Sequence, residues 1–267
     1  MRAHIKGVRP PRNKSRAKRG RVLRLAAAVA IPAAALVTAL ALLFVNGVIR
    51  FNSPSRQTYP VRGVDVSSYQ VEIDWPALAG QGQEPLLFAY LKATEGSTYV
   101  DSRFSYNWEQ ARKTHLKVGA YHFFSFDSDA HAQAEHIIAT VPAEPDALPP
   151  AVDVEFYGDY FQHPPAAEQV QASLHEMLNA LRAHYGKTPV LYATQQAYRL
   201  YLSRGFEEYP LWIRSVLGEP AISEREWQIW QYTDRQRLPG YRGEEKFIDM
   251  NAFSGSRDAF EEWAAGR

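Results

Sequence analysis

Asp153 and Glu155 stand one residue apart at the end of the apolar run PPAVDVEFYGD, residues 149–159. Side chains on a strand alternate faces, so the two acids share one face, with Cα atoms roughly 6.5–7 Å apart. Neighbouring carboxyls push their pKa values apart, which lets one of them keep its proton near neutral pH. A polar strand edge facing water would show the same pattern, so the pair alone does not decide. Two more acids interrupt apolar strands: Asp65 lies between valines in GVDVSSYQ, and Asp249 between Ile248 and Met250 in FIDMNAF. A buried carboxylate without a partner is costly, so each needs a partner or a task. Three strands that bring acids to one mouth point to a site.

The chemistry is narrowed by what the chain lacks. It has no cysteine, which removes thiolate nucleophiles, thiolate zinc sites and disulfides. It has no GxSxG elbow, no glycine-rich phosphate loop and no HExxH pair. A carboxylate cluster can hold a divalent cation. Aromatic residues make up 13% of the chain, however, which favours a glycan as ligand, with no metal and no cofactor. Glycoside hydrolysis needs a carboxylic acid to protonate the leaving oxygen and negative charge to stabilise an oxocarbenium-like transition state. Asp153 and Glu155 can supply that pair.

Eight strand-like runs position these acids: 61–67, 86–93, 117–124, 149–156, 189–194, 210–216, 227–233 and 247–253. Helix-like stretches cover 101–114, 129–140, 165–185, 195–203 and 256–265. The 165–185 stretch follows Pro164 and Pro165 and stops at Gly186, as helix signals require. Four strand–helix alternations predict parallel strands with right-handed crossovers. The gaps after the sixth strand are too short for full helices. The expected fold is therefore α/β: an irregular TIM-like β/α barrel with regular units first and simpler strands last. Barrel sites lie at the C-terminal strand ends. Those ends add Lys92 and Glu95 in KATEG, Tyr121 and His122, and Trp230 and Tyr232 in IWQYT. His122 also fits a core histidine, Trp75 fits packing, and Glu72 and Asp74 fit solvent or a helix cap.

The N-terminal quarter is of another kind. Residues 1–24 hold ten Lys/Arg and no acid, so the remainder carries a net −9. An acidic remainder argues against nucleic-acid binding. Residues 25–49 contain no charge and are long enough for a transmembrane helix, with Pro32 tolerable in a bilayer. The basic flank predicts a single-pass anchor with a cytoplasmic N-terminus and the rest beyond the inner membrane, in the periplasm or its extracytoplasmic equivalent. A cleaved signal peptide is the rival, with Ala39-Leu40-Ala41 as a weak cleavage site. Residues 50–60, rich in Ser, Pro and Asn, suggest a linker. This gives a basic tail (1–24), a span (25–49) contacting lipid, a linker (50–60) and a barrel (61–267).

The stretches RGVDVSSYQVEIDW, YLKATEGSTYVDSRFSYNWEQARKTHLKVGAYHFF, AVDVEF, WQIWQYT and IDMNAF, in this order and spacing, resemble the glycoside hydrolase family 25 lysozymes. The resemblance runs from about Arg62 to Phe260. It implies a barrel of five βα units plus further strands. It also implies muramidase activity on the β-1,4 bond between N-acetylmuramic acid and N-acetylglucosamine in peptidoglycan. Under it Glu155 is the acid that protonates the leaving group, and Asp153 orients or polarises the 2-acetamido group. Asp65 and Asp249 complete an acidic floor. Tyr121, Tyr192 and Trp230 would contact sugar, and Glu95 fits the family pattern, with pairing to Lys92 or capping of a loop as its alternatives. Two departures stand out: Val71 where many members have glycine, and Arg214 in WIRSV where the family often has WIA. Two other readings remain open, a non-catalytic glycan-binding scaffold of the envelope and a hydrolase of another N-acetylated glycan. Protein partners are not readable.

Overall fold

The computed structural model describes residues 14–48, 52–80, 85–222, 224–243 and 245–266, with side chains from residue 28 onward. The chain forms two compact units, residues 1–49 and 50–267. In the first, helix α1 runs Lys14–Val45 and contains Pro32. Its window Ala28–Val45 is long and apolar enough to cross a membrane, and none of it is buried. At 1.5 Å per residue it spans about 27 Å, close to a bilayer core. Residues 1–13 of the basic tail, and residues 49–51 at the junction with the linker, lie outside the described residues.

The second unit is built on nine strands. In chain order they are β1 (Arg62–Val66), β2 (Phe88–Glu95), β3 (Tyr99–Val100), β4 (Lys117–Phe123), β5 (Ala151–Val154), β6 (Val190–Thr194), β7 (Leu211–Arg214), β8 (Ile229–Gln236) and β9 (Ile248–Phe253). The helices are α2 (Trp75–Ala79), α3 (Phe104–Ala111), α4 (Ala130–Thr140), α5 (Ala167–Tyr185), α6 (Gln195–Ala197, continued by a π turn Tyr198–Leu202) and α7 (Arg257–Ala264). The sheet order β1-β9-β8-β7-β6-β5-β4-β2 closes through a β1–β2 pairing into an eight-stranded barrel, with β3 a short ribbon on β2. All eight strands expected from the sequence form the barrel. Helix α2 and strand β3 were not expected. Asp74 caps α2 by accepting from the Ala77 N–H at 3.1 Å.

One expectation is corrected. The barrel strands β1, β2 and β4 to β8 run parallel, but β9 is antiparallel to both β8 and β1. The connection 237–247 is too short for a crossover, so the chain must turn straight back. Asp249 therefore reaches the mouth from the start of its strand rather than from its end.

The barrel interior is layered. Phe88, Tyr90, Ala151, Val190, Ile229 and Phe253 fill the lower half. The two large rings fit because the facing positions are glycine. A Cβ on Gly63 would lie 2.4 Å from the Phe88 ring, and one on Gly119 would lie 2.5 Å from the Tyr90 ring. Phe260 of α7 closes the bottom, with ring centroids 5.5 Å from Phe88 and 5.3 Å from Phe253. The outward strand residues Val64, Leu91, Val118, Val152, Leu191 and Ile213 pack with the helices in a second, larger cluster.

The expected linker is only partly free. Asn52 donates to the Ser215 and Tyr232 carbonyls, both at 3.4 Å, and the Pro54 carbonyl accepts from Arg62 at 2.6 Å. Tyr59 lies 5.7 Å from both Trp227 and Trp230 and donates to Glu219 at 2.5 Å. Residues 52–60 are thus laid against the barrel, because their aromatic and amide groups find partners there.

Candidate active site

The upper half of the barrel interior is polar. Inward positions just above the ring layer carry Asp65 on β1, Lys92 on β2, Tyr121 on β4, Asp153 on β5, Tyr192 on β6 and Trp212 on β7. Glu155 follows immediately after β5, in phase with Asp153. Two adjoining depressions of about 330 and 670 Å³ open from this layer, and both are lined by Asp65, Tyr121, Asp153, Glu155 and Asp249. The four acids singled out in the sequence therefore meet in one place. Glu95 reaches the larger depression because a bulge in β2 between Lys92 and Thr94 shifts the alternation by one residue. It accepts from Lys92 Nζ at 2.6 Å, the pairing alternative raised for it.

Asp65 and Asp249 sit directly opposite each other across β1 and β9 and are hydrogen-bonded through their side chains. Two carboxyls bond only if one carries a proton, so the pair shares one proton. Burial and then the Asp65 charge hold Asp249 well above the usual carboxylate range. Burial also raises Asp65, opposed by donors from Asn251 and Gln231. Asn251 donates to Asp65 Oδ2 at 2.7 Å, and Gln231 Nε2 lies 3.0 and 3.2 Å from its two oxygens. These amides are fixed in turn. Trp212 Nε1 donates to Asn251 at 2.8 Å, and Tyr192 donates to Gln231 at 3.0 Å.

Asp153 is held differently. Its Oδ1 is buried and, among the described residues, has no hydrogen-bond partner. Burial, then the neighbouring Glu155, push its pKa well above normal, opposed by Lys92. Glu155 is also raised, by burial, with Arg214 and Lys92 opposing. Two adjacent carboxyls resist joint ionisation, and their protons come off in steps that belong to the pair. Among the described residues no group of three or more His, Cys, Asp or Glu is arranged to hold a metal ion.

Of the aromatics named from the sequence, Tyr121 and Tyr192 line the depressions. Trp230 does not, and its sugar-contact role is corrected. It faces outward from β8, is 2% exposed and donates to the Ser215 carbonyl at 2.8 Å beneath Tyr59. Alternation forces this: with Trp230 and Tyr232 outside, Gln231 between them faces in. Sequence reasoning chose the aromatics and missed the amide. Asn251 was missed too, although it lies two residues from Asp249 on the same face. Trp212, also missed, floors the smaller depression. His122 is a core residue, bonded to Thr94 at 2.8 Å and Gln133 at 3.0 Å, and burial lowers its pKa to about 4. Trp75 is fully buried and donates to Asn107 at 3.1 Å.

The family described as glycosyl hydrolases family 25 matches residues 64–241. The uncharacterized protein YegX of Escherichia coli K12 is 32% identical over 212 residues, covering 78% of this chain and 75% of its own. A family 25 glycosyl hydrolase structure from Bacillus anthracis is 48% identical with a TM-score of 0.75, over 81% of this chain and 98% of that one. A bacterial lysozyme structure from Streptomyces coelicolor is 28% identical with a TM-score of 0.67, over 77% and 97%.

Proposed function

The chain belongs to glycosyl hydrolases family 25, and on that premise we propose how its acidic mouth works as a peptidoglycan muramidase, with Glu155 as the general acid. The bond cleaved is the β-1,4 link between N-acetylmuramic acid and N-acetylglucosamine. Glu155 protonates the glycosidic oxygen as the bond breaks, which requires that it enter the reaction protonated. Burial raises its pKa, the direction that favours the protonated form. The observation that carries the reading is the orphaned Oδ1 of Asp153 beside it. A buried acceptor needs a donor, and the N–H of a 2-acetamido group is one. Asp153 thereby orients that group toward the anomeric carbon. Asp65 and Asp249, locked by Asn251 and Gln231, keep one negative charge beneath the developing positive charge.

Residues 25–49 act as an uncleaved membrane anchor, with the basic tail cytoplasmic and the barrel, residues 61–267, outside. The apolar window Ala28–Val45 and the flanking basic tail support this topology.

Clearing of purified peptidoglycan, followed with the full-length protein, tests the assignment. Glu155→Gln should lose about 100-fold or more in rate while keeping its melting temperature, the scale of a lost general acid. Asp153→Asn should lose activity comparably. Near-normal rates in either variant would remove that residue from the mechanism.

A further inference from the structure

The smaller depression contains a cation that the acid catalysis does not require. Arg214 ends β7 on the inward face, one step above Trp212, and is paired in register with Gln231. Its side chain is 34% exposed, enough to meet a ligand. Among the described residues its one side-chain hydrogen bond runs to Asp234, Nη2 to Oδ2 at 2.6 Å. A guanidinium carries five N–H donors in a planar fork. The Asp234 contact leaves most of that fork available at the rim. Lys92 and Arg235 line the larger depression instead, where Lys92 is clamped by Glu95 and Arg235 lies 4.6 Å from the Phe247 ring centroid.

The depression around Arg214 is otherwise acidic, with Asp65, Asp153, Glu155, Asp234 and Asp249 all on its walls. A ligand bearing a negative group would be repelled from such a wall unless a cation received it. A neutral glycan would need no such cation. The sugar placed over Asp153 and Glu155 is muramic acid, since its anomeric carbon is the one attacked. That sugar differs from N-acetylglucosamine by a 3-O-lactyl group ending in a carboxyl, either free or linked to a stem peptide that bears carboxylates of its own.

We propose that Arg214 is a specificity-determining residue that binds a carboxylate carried by the muramic acid unit, with Asp234 holding the guanidinium in place and competing for it. The inference rests on the muramidase reading and adds to it the feature by which this mouth tells muramic acid from a neutral N-acetylated sugar. Guanidinium–carboxylate pairing is planar and bidentate, so lysine should replace it only in part.

The test is calorimetric titration of the full-length protein in detergent, carrying Glu155→Gln so that ligands persist. That background also removes any effect of Arg214 acting through the acidity of Glu155. Three ligands are compared: chitotetraose, an N-acetylglucosamine–N-acetylmuramic acid tetrasaccharide with free lactyl carboxylates, and the same tetrasaccharide with stem peptides. Arg214→Met should weaken a carboxylate-bearing ligand about tenfold, the scale of one charged hydrogen bond, and leave chitotetraose within twofold. Arg214→Lys should recover part of the loss. Asp234→Asn, which frees the fork, should tighten the same ligand. A response of the peptide-free strand assigns the lactyl carboxylate, and a response confined to the peptide-bearing strand assigns the stem. Equal losses on all three ligands, or no loss on either carboxylate-bearing one, would overturn the proposal. Wild-type turnover of peptidoglycan is measured in parallel, and its absence would strike the muramidase reading instead.

Discussion

At the scale of single residues, the mouth gives up stability for reactivity. Asp65, Asp153, Glu155 and Asp249 all have pKa values raised, with burial the first cause in each. The native state therefore holds protons that the unfolded chain releases. The stability from these groups is full below the unfolded carboxylate values near 4 and is lost as pH rises through the raised native ones. Asp249→Asn, which keeps a donor for Asp65 but carries no charge, should gain on wild type as pH rises from 4 to 7. The gain should reach about 1 kcal/mol at pH 7; denaturant melts at both pH values measure it, and a constant or shrinking difference would contradict the account. Catalysis has the same sign. Turnover should fall on the alkaline side as Glu155 loses its proton. Arg214→Met, which removes the cation opposing that rise, should move the alkaline limb upward in a pH–rate profile. An unmoved or downward limb would show that Arg214 does not act on Glu155. The acids themselves were legible in the sequence because a carboxylate inside an apolar run is conspicuous. Gln231, Asn251 and Trp212 were not, because an amide or an aromatic in a strand looks like ordinary packing until its facing is known.

At the scale of elements, tight approaches and one strained turn set the geometry. Gly63 is the clearest case, since its missing Cβ makes room for the Phe88 ring. Gly63→Ala should destabilise by about 1–3 kcal/mol through overpacking, and should disturb Asp65 two residues on. A chemical melt and an activity assay read both effects, and a neutral result would contradict the packing described. Val71 is the one described residue other than glycine with positive φ, at 58° with ψ −128°. A β-branched side chain is disfavoured there, and glycine is the residue the family resemblance expects. Val71→Gly should raise stability by about 1 kcal/mol, seen as a higher melting temperature; a lower one would show that Val71 contributes packing that outweighs its strain. The eight barrel strands were readable from runs of apolar residues between turn signals. The reversal of β9 was not, because strand direction is set by connection length and closure rather than by the strand's own residues. The five-residue α2 was missed because it is too short to show a period, although its Asp74 cap and Pro76 were visible.

At the scale of the whole molecule, one chain joins a basic tail and an apolar helix in sequence to an acidic catalytic barrel. If residues 25–49 are an anchor, the full chain should stay with membranes through alkaline carbonate washing, and a protease added outside the cytoplasm should reach the barrel but not the tail. Release by the wash, or a mature N-terminus near Ala41, would favour a cleaved signal instead. The muramidase account itself meets its most direct test in the products. Full-length wild type and Glu155→Gln are incubated with purified peptidoglycan, and the soluble fragments are analysed by mass spectrometry with reduction of their free ends. The account expects fragments ending in reduced muramic acid from wild type and none from the variant. Fragments ending in reduced N-acetylglucosamine, or muramic-acid ends from both proteins alike, would contradict it.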